Sequence, residues 1–206
     1  MDTTSEKMKY IWDYYKFFII GSIALVFLVS YSINSVLSKK VNVLNIVMLT
    51  GMVEPDDIET LRQTLLLELL TEEEQEKSDI LIQNMKTSSD NTIDVQAGMN
   101  IQKMVAELSS GGIDIFIVER EFFNQMNAEN QLLSIQQLSG LTSLPYPEDQ
   151  LFYSEENGEE VTGIHVSAIG SLDKVLMYDK DKILCVPANA KNIEFVSKFL
   201  QFILQS

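Results

Sequence analysis

The feature that most constrains this chain is a run of 21 residues without a charged side chain, from Phe17 to Leu37. At about 1.5 Å of rise per residue, a helix of this length measures roughly 31 Å, close to the hydrocarbon thickness of a bilayer. Lysine residues flank the run on both sides. We therefore expect residues 17–37 to form one transmembrane helix, between a tail of residues 1–16 and a domain of residues 41–206.

Aromatic side chains precede the apolar run in a pattern typical of a membrane interface. Tyr and Trp favour the headgroup level, because the ring is partly dehydrated there while its polar tip stays hydrated. The sequence therefore predicts a lipid-interface anchor made of Tyr10, Trp12, Tyr14, Tyr15 and Lys16.

Two other interpretations of the run remain open. A buried core helix would also be apolar, although this length and these flanks are unusual for one. A cleaved signal peptide would use Ser30-Tyr31-Ser32 as its cleavage site, but signal peptides have an apolar core of about 7–15 residues after a short basic segment. The longer run and the 16-residue segment before it favour an uncleaved anchor.

The orientation of the anchor depends on a small difference in basic residues. Three lysines precede the run and two follow it, a bias that the positive-inside rule uses weakly. A short N-terminal anchor ahead of a long domain usually leaves that domain outside. We expect a single-pass cell-membrane protein with its N-terminus inside and its domain extracytoplasmic.

The charge of the domain excludes one class of partner. Residues 41–206 contain ten basic and 27 acidic residues, a net charge of −17. Nucleic acid is not an expected ligand, because binding it depends on Lys and Arg that neutralise phosphates. The same charge keeps the domain from lying flat on anionic lipid.

Strand-like and helix-like segments alternate in the first half of the domain. Buried strands are predicted at residues 41–50, 79–83 and 113–118, and helices follow at residues 55–70, 93–108 and 119–126. The acidic run of residues 72–76 is interpreted as a solvated helix end. This β-α-β-α-β-α order is typical of a parallel sheet covered by helices. We predict a three-layer α/β domain with a mixed, mostly parallel sheet.

The pattern changes after Gly140. An acidic turn with Asn157-Gly158 at its centre predicts a hairpin with arms at residues 151–153 and 161–169. A further strand, residues 183–186, and a final amphipathic helix that begins near Ile193 complete the domain.

Residues that could support catalysis are few. The chain has one histidine, His165, and one cysteine, Cys185, and both lie in predicted strands. A reactive Cys–His pair is weighed against an inert buried thiol, which is the usual state of such a cysteine. No metal-binding or phosphate-binding motif is present. We expect no enzymatic activity, no cofactor and no metal.

The predicted β-α alternation also offers a possible ligand site. Ligands of open parallel sheets gather beyond the carboxyl ends of the strands. Hydroxyls and helix N-termini there could hold a small polar group, and the candidate residues are Thr50, Gly51, Thr87, Ser88 and Ser89. The alternative is that these residues are ordinary caps and turns.

Two resemblances rest on short motifs. The segment Tyr10-Ile11-Trp12-Asp13-Tyr14-Tyr15-Lys16, leading into the apolar run, resembles small uncharacterised single-pass membrane proteins of Gram-positive bacteria. Three further motifs of the domain resemble one lobe of the type 2 periplasmic (extracellular solute-binding) proteins: residues 108–118, Gly163-Ile164-His165-Val166, and Pro187-Ala188-Asn189-Ala190-Lys191-Asn192. The second lobe of those proteins has no counterpart here, so the resemblance implies the fold rather than transport.

The sequence therefore predicts a non-enzymatic, membrane-anchored interaction module that binds a protein partner of the cell envelope, such as a transporter. The alternative is a solute-binding or sensing domain for a small polar ligand.

Overall fold

The computed structural model describes residues 4–37, 40–51, 53–85, 95–177 and 179–205. The chain divides into two compact units, Met1–Lys40 and Val41–Ser206.

The first unit is one long helix, α1, which extends from Thr4 to Leu37. The predicted transmembrane segment lies inside this helix, and all of its side chains that the structure describes between Phe17 and Ser30 are exposed. In the described part of the chain, no helix is both long and apolar enough to cross a membrane. The structure therefore gives no support to the predicted transmembrane helix, which stays a prediction.

The second unit alternates strands and helices. Its strands are β1 (Val41–Met48), β2 (Ser78–Asn84), β3 (Ile115–Glu119), β4 (Leu151–Tyr153), β5 (Val161–His165) and β6 (Lys182–Cys185). Its helices are α2 (Pro55–Leu69), α3 (Glu72–Lys77), α4 (Val95–Ser109), α5 (Arg120–Ala128), α6 (Ile135–Ser139) and α7 (Ile193–Gln205). Three short 3-10 helices occupy Glu148–Gln150, Val166–Ala168 and Gly170–Leu172.

The six strands form one mixed sheet in the order β2-β1-β3-β6-β5-β4. The strand β1 pairs in parallel with β2 and with β3. The other three pairings, β3 with β6, β6 with β5, and β5 with β4, are antiparallel. The predicted α/β class and mixed sheet are confirmed, but "mostly parallel" is wrong because β6 enters the middle of the sheet in the opposite direction.

Both faces of the central strands are buried, as their nearly continuous apolar sequences predict. On one face, Leu44, Ile46 and Met48 of β1 join a core with residues of α2, α6 and α7. On the other face, Val47 and Leu49 join a second core with residues of α4 and α5. The sheet is therefore the middle of three layers, as predicted.

The segment after β1 has the local features that start a helix. Pro55 occupies the first turn of α2 and is followed by Asp56 and Asp57, which are favourable near the positive end of a helix. The acidic run 72–76 was predicted to be the solvated end of this helix, which is wrong. It forms α3, and Thr71 starts α3 through a capping box with Glu74.

The second half confirms the hairpin but shortens one arm. The strands β4 and β5 are antiparallel neighbours, and Gly158 in the turn has φ of 67°, which glycine adopts without strain. The second arm was predicted to reach residue 169, whereas β5 ends at His165 and the chain turns into 3-10 helices.

A buried carboxylate joins three parts of the second unit. Asp114, directly before β3, is 1% exposed. Its Oδ2 accepts hydrogen bonds from the Asn45 backbone N–H and from Asn192 Nδ2, each at 2.9 Å. Its Oδ1 accepts from the backbone N–H groups of Asn192 at 3.1 Å and Lys191 at 3.3 Å. Asp114 therefore attaches the segment that leads into α7 to the central strand β1.

Candidate functional site

Several charged and polar side chains of the second unit lie at one edge of the sheet. The strands β1, β2, β3 and β5 all end at this edge, and β6 begins there because it is antiparallel to β3 and β5. Parallel strands bring their carboxyl ends together, which is where ligands of open sheets bind. We call this region the carboxyl edge.

A buried lysine lies at the centre of the carboxyl edge. Lys182, the first residue of β6, is 5% exposed. Its Nζ lies 3.1 Å from Glu119 Oε1 and 3.2 Å from Asp179 Oδ2. A buried ammonium needs such partners, because removing it from water is costly. These contacts join the end of β3 to the start of β6.

Arg120 and His165 both contact the Phe152 ring, and we call these three side chains the Phe152 stack. The Arg120 guanidinium lies 4.8 Å from the centre of the Phe152 ring, a cation–π arrangement. The His165 ring stacks on Phe152 with centres 6.4 Å apart and planes inclined by 24°. The Phe152 ring also packs against the ring of Phe123, which belongs to the second core, with the two ring centres 5.3 Å apart.

An exposed carboxylate, that of Asp181, lies near both Arg120 and His165. Asp181 Oδ1 lies 3.3 Å from His165 Nε2 and 3.9 Å from Arg120 Nη2. The other ring nitrogen of His165, Nδ1, lies 2.6 Å from Ser167 Oγ. Serine, histidine and aspartate are the residue types of a hydrolase triad, in which a buried aspartate orients the histidine. The Asp181 side chain is 82% exposed, so water competes for its carboxylate. Asp181 therefore differs from the buried aspartate that orients the histidine of a hydrolase triad.

The single cysteine is inert in this environment. Cys185 is fully buried in the core between the sheet and α4 and α5. Burial raises the pKa of its thiol, because the apolar core disfavours the thiolate. Nucleophilic chemistry requires the thiolate. The predicted alternative of a reactive Cys–His pair is therefore not supported. The described residues also contain no group of three or more His, Cys, Asp or Glu side chains that could hold a metal ion.

Two of the predicted ligand residues lie at the carboxyl edge, and their polar groups have internal partners. The buried Thr50 hydroxyl donates to Asn84 Oδ1 at 2.9 Å. The Gly51 N–H donates to Asp179 Oδ2 at 3.1 Å. The other three candidates, Thr87, Ser88 and Ser89, lie outside the described residues. The predicted ligand role of all five stays a prediction.

The predicted interface residues lie on α1. The side chains of Trp12, Tyr14 and Tyr15 are exposed, and the Lys16 ammonium lies 5.6 Å from the centre of the Phe17 ring. The side chain of Tyr10 is outside the described set. The role of these residues at a membrane is untested by the structure.

Sequence reasoning missed the Phe152 stack. Phe152 and His165 lie on the two arms of the predicted hairpin, whereas Arg120 comes from a distant segment that the strand order brings beside them. One local signal was present, since Arg120 follows the predicted strand 113–118 closely and a parallel strand delivers such a residue to the carboxyl edge. No local signal placed Phe152 or His165 beside it.

Comparison with known proteins adds little to this geometry. No protein-family model and no curated protein matches the chain. Among solved structures, the chain is similar to an extracellular solute-binding protein family 1 from Alicyclobacillus acidocaldarius subsp. acidocaldarius DSM 446, with 17% identity and a TM-score of 0.37. The match covers 62% of this chain and 28% of the other. The expected resemblance to solute-binding proteins thus has a weak structural counterpart, which carries no conclusion about function.

Proposed function

We propose that the protein is a non-enzymatic, membrane-anchored module that binds a protein partner of the cell envelope. The observation that carries this proposal is the exposed apolar surface of α1. Its largest exposed side chains include Phe17, Phe18 and Phe27, which are 77%, 73% and 72% exposed. An apolar surface of this extent is usually covered by a membrane or by another protein. The uncharged run from Phe17 to Leu37 favours the membrane.

The test of the anchor is alkaline extraction of membranes from cells that produce the full chain. We expect the protein to resist extraction. Phe27→Lys, near the middle of the run, should increase the extracted fraction, because a charge at mid-bilayer costs about 2.5–3.5 kcal/mol. Ser5→Lys, outside the run, is the control and should behave like the wild type. Complete extraction of the wild type would contradict the anchor. The orientation, with the N-terminus inside and the second unit outside, is tested by adding protease to intact cells. Protection of the second unit would reverse that orientation.

The Phe152 stack is the part of the carboxyl edge best suited to a protein partner. Arginine and aromatic residues are enriched among the side chains that dominate protein interfaces. The Arg120 side chain is 53% exposed, and the contact with Asp181 at 3.9 Å is longer than a hydrogen bond. The N–H groups of the Arg120 guanidinium are therefore available to a carboxylate or carbonyl group of a partner.

Site-specific photocrosslinking in cells tests the partner. A crosslinker at position 120 should capture the same protein repeatedly, whereas one at exposed Lys77 on α3 should not. Arg120→Glu should abolish co-purification of that protein in mild detergent, and Lys77→Glu should preserve it. Recovery of only the protein itself, at position 120 and under several growth conditions, would argue strongly against this function.

A second candidate function is recognition of a small polar solute at the same edge. The specific observation in its favour is the Arg120 guanidinium, which lies 4.8 Å from the centre of the Phe152 ring and can bind a carboxylate with two hydrogen bonds. A ligand at 100 times its dissociation constant should add about 2.7 kcal/mol to the free energy of unfolding. Thermal unfolding of the full chain with small carboxylates, sugars and phosphate measures this. Absence of any shift, or equal shifts in Arg120→Ala, would eliminate solute binding at Arg120.

A further inference from the structure

We propose that Asp79 prevents β2 from pairing with the same strand of a second copy of this chain. The strand β2 is the outermost strand on one side of the sheet, and β4 is the outermost on the other. An outermost strand presents unpaired backbone groups to which another chain can add a strand, and proteins usually keep such strands short or charged. The strand β4 has three residues, whereas β2 has seven and carries no charge from residue 80 to residue 84. Residues 80–84 therefore lack both of these protections.

The outward backbone groups of β2 follow from its pairing with β1. Successive residues of a strand direct their N–H and C=O groups to opposite sides. The Met85 N–H donates to the Met48 carbonyl at 2.9 Å, so residues 81, 83 and 85 face β1. Residues 80, 82 and 84 consequently face the open side. Among the described residues, the backbone N–H groups of Ile82 and Asn84 have no hydrogen-bond partner.

The Asp79 carboxylate occupies the remaining outward N–H group. Asp79 Oδ1 accepts the Ile80 N–H at 2.8 Å and lies 2.6 Å from Arg62 Nη1. The Arg62 guanidinium is in turn held by Glu59, through Nε to Oε2 at 2.8 Å and Nη2 to Oε1 at 2.7 Å. A strand that pairs with β2 must displace the Asp79 carboxylate from the Ile80 N–H and lie against its charge. Charged side chains placed at the edge of a sheet are a common means of keeping that edge unpaired.

The sequence of β2 makes a second copy the strand that Asp79 must exclude. In the antiparallel register with Leu81 on the two-fold axis, Leu81 faces Leu81, and Ile80 faces Ile82 of the second copy. Residues 80 and 82 then pair through their outward backbone groups, as the hydrogen-bonded positions of an antiparallel pair require. The two neighbouring registers that preserve this alignment place Asp79 or Gln83 opposite Leu81. Apolar cross-strand pairs stabilise a sheet, so we expect the register centred on Leu81. This proposal does not depend on the proposed function of the carboxyl edge.

Cysteine crosslinking of the full chain in mild detergent tests the proposal. Leu81 is half-buried and packs in neither of the two described cores, so we expect its replacement to be tolerated. Cα atoms at opposite, non-hydrogen-bonded positions of an antiparallel pair lie about 4.5 Å apart, within the range that a disulfide spans. On oxidation, Asp79→Ala combined with Leu81→Cys should form at least about ten times more disulfide-linked dimer than Leu81→Cys alone, because pairing no longer breaks a hydrogen bond to a carboxylate. The natural Cys185 is fully buried and does not contribute.

Matched variants test the position and the cause of the crosslink. Asp79→Ala combined with Gln83→Cys should form little dimer, because in this register the two residues 83 lie about 13 Å apart along the strands. Asp173→Ala combined with Leu81→Cys should behave like Leu81→Cys, because the ion pair of Asp173 lies outside β2. Arg62→Ala, which releases Asp79 and leaves β2 unchanged, should increase the Leu81→Cys crosslink and serves as the second variant if Asp79→Ala fails to fold. Crosslinking of Leu81→Cys that neither substitution changes, or stronger crosslinking through position 83 than through position 81, would overturn the proposal.

Discussion

Replacing Asp114 by alanine is expected to lower the free energy of unfolding by about 3–5 kcal/mol, the largest loss that we predict for a single substitution, because it breaks a hydrogen-bond network around a buried carboxylate. The carboxylate is 1% exposed and accepts four hydrogen bonds, from Asn45, Lys191 and Asn192. A fully buried donor left without an acceptor costs about 1–3 kcal/mol, and these partly buried donors cost less where water reaches them. Chemical denaturation of the full chain, followed by circular dichroism, measures the change.

Asp173→Ala is the matched control for this prediction. Asp173 pairs with Lys180 at 2.8 Å, but both side chains are about half exposed, and surface pairs contribute about 0–1 kcal/mol. Asp114→Asn should fall between the two aspartate-to-alanine variants, since it keeps one acceptor oxygen and the side-chain volume. If Asp114→Ala unfolds at the same denaturant concentration as Asp173→Ala, the proposed structural role of Asp114 is wrong.

Gly163→Ala is expected to destabilise the second unit by about 1–3 kcal/mol, the usual cost of overpacking a core. A Cβ atom at Gly163 would lie 2.6 Å from Phe123 Cε2 and 2.7 Å from Ile183 Cγ2. Neither neighbour can move freely, because both Phe123 and Ile183 are buried in the same core. Thermal and chemical unfolding of the variant measure the loss.

Gly98 has room for a side chain, and its replacement by alanine is expected to have the opposite effect on stability. Gly98 lies in α4, and an added Cβ would meet nothing within 4 Å. Gly98→Ala should therefore stabilise the protein by about 0.5–1 kcal/mol, the difference in helix propensity between the two residues. Equal stabilities of the two glycine variants would show that the close approach at Gly163 does not constrain the core.

The sequence was most informative where pattern and local chemistry agreed. The apolar runs that became β1 and β3 and the Pro55-Asp56-Asp57 start of α2 were predicted from buried-strand and helix-start patterns alone. The predicted hairpin gave the antiparallel pairing of β4 with β5, but the direction of β6 within the sheet was not predictable. The strands β5 and β6 have only five and four residues, and short buried runs look the same in parallel and antiparallel pairings.

Two motifs that suggested a solute-binding lobe have a structural explanation in this chain. The segment that contains Asp114 and the segment that ends in Lys191-Asn192 are far apart in sequence, and their contact is the Asp114 hydrogen-bond network. Sequence alone placed each motif next to a predicted strand or helix. It did not show that one binds the other, because the hydrogen bonds form only once β1, β3 and α7 are packed.

The candidate site was predictable only in its location. The rule for parallel strands directed attention to the carboxyl edge, where Thr50 and Gly51 lie, and their role as ligand residues stays a prediction. Sequence did not show that Arg120, His165 and Lys182 lie together at this edge, because they come from different strands of the sheet and from the start of α5.

The position of β6 has a consequence for the order in which the chain can fold during synthesis. This last strand lies between β3 and β5, so a ribosome must translate past Cys185 before the middle of the sheet can close. Until then β3 has an unpaired edge, and apolar residues of both cores are exposed to water. Long-range pairing of this kind delays folding. The nascent domain therefore depends on residues 182–185 to finish the sheet, and a chain that stops before β6 exposes an edge that favours aggregation.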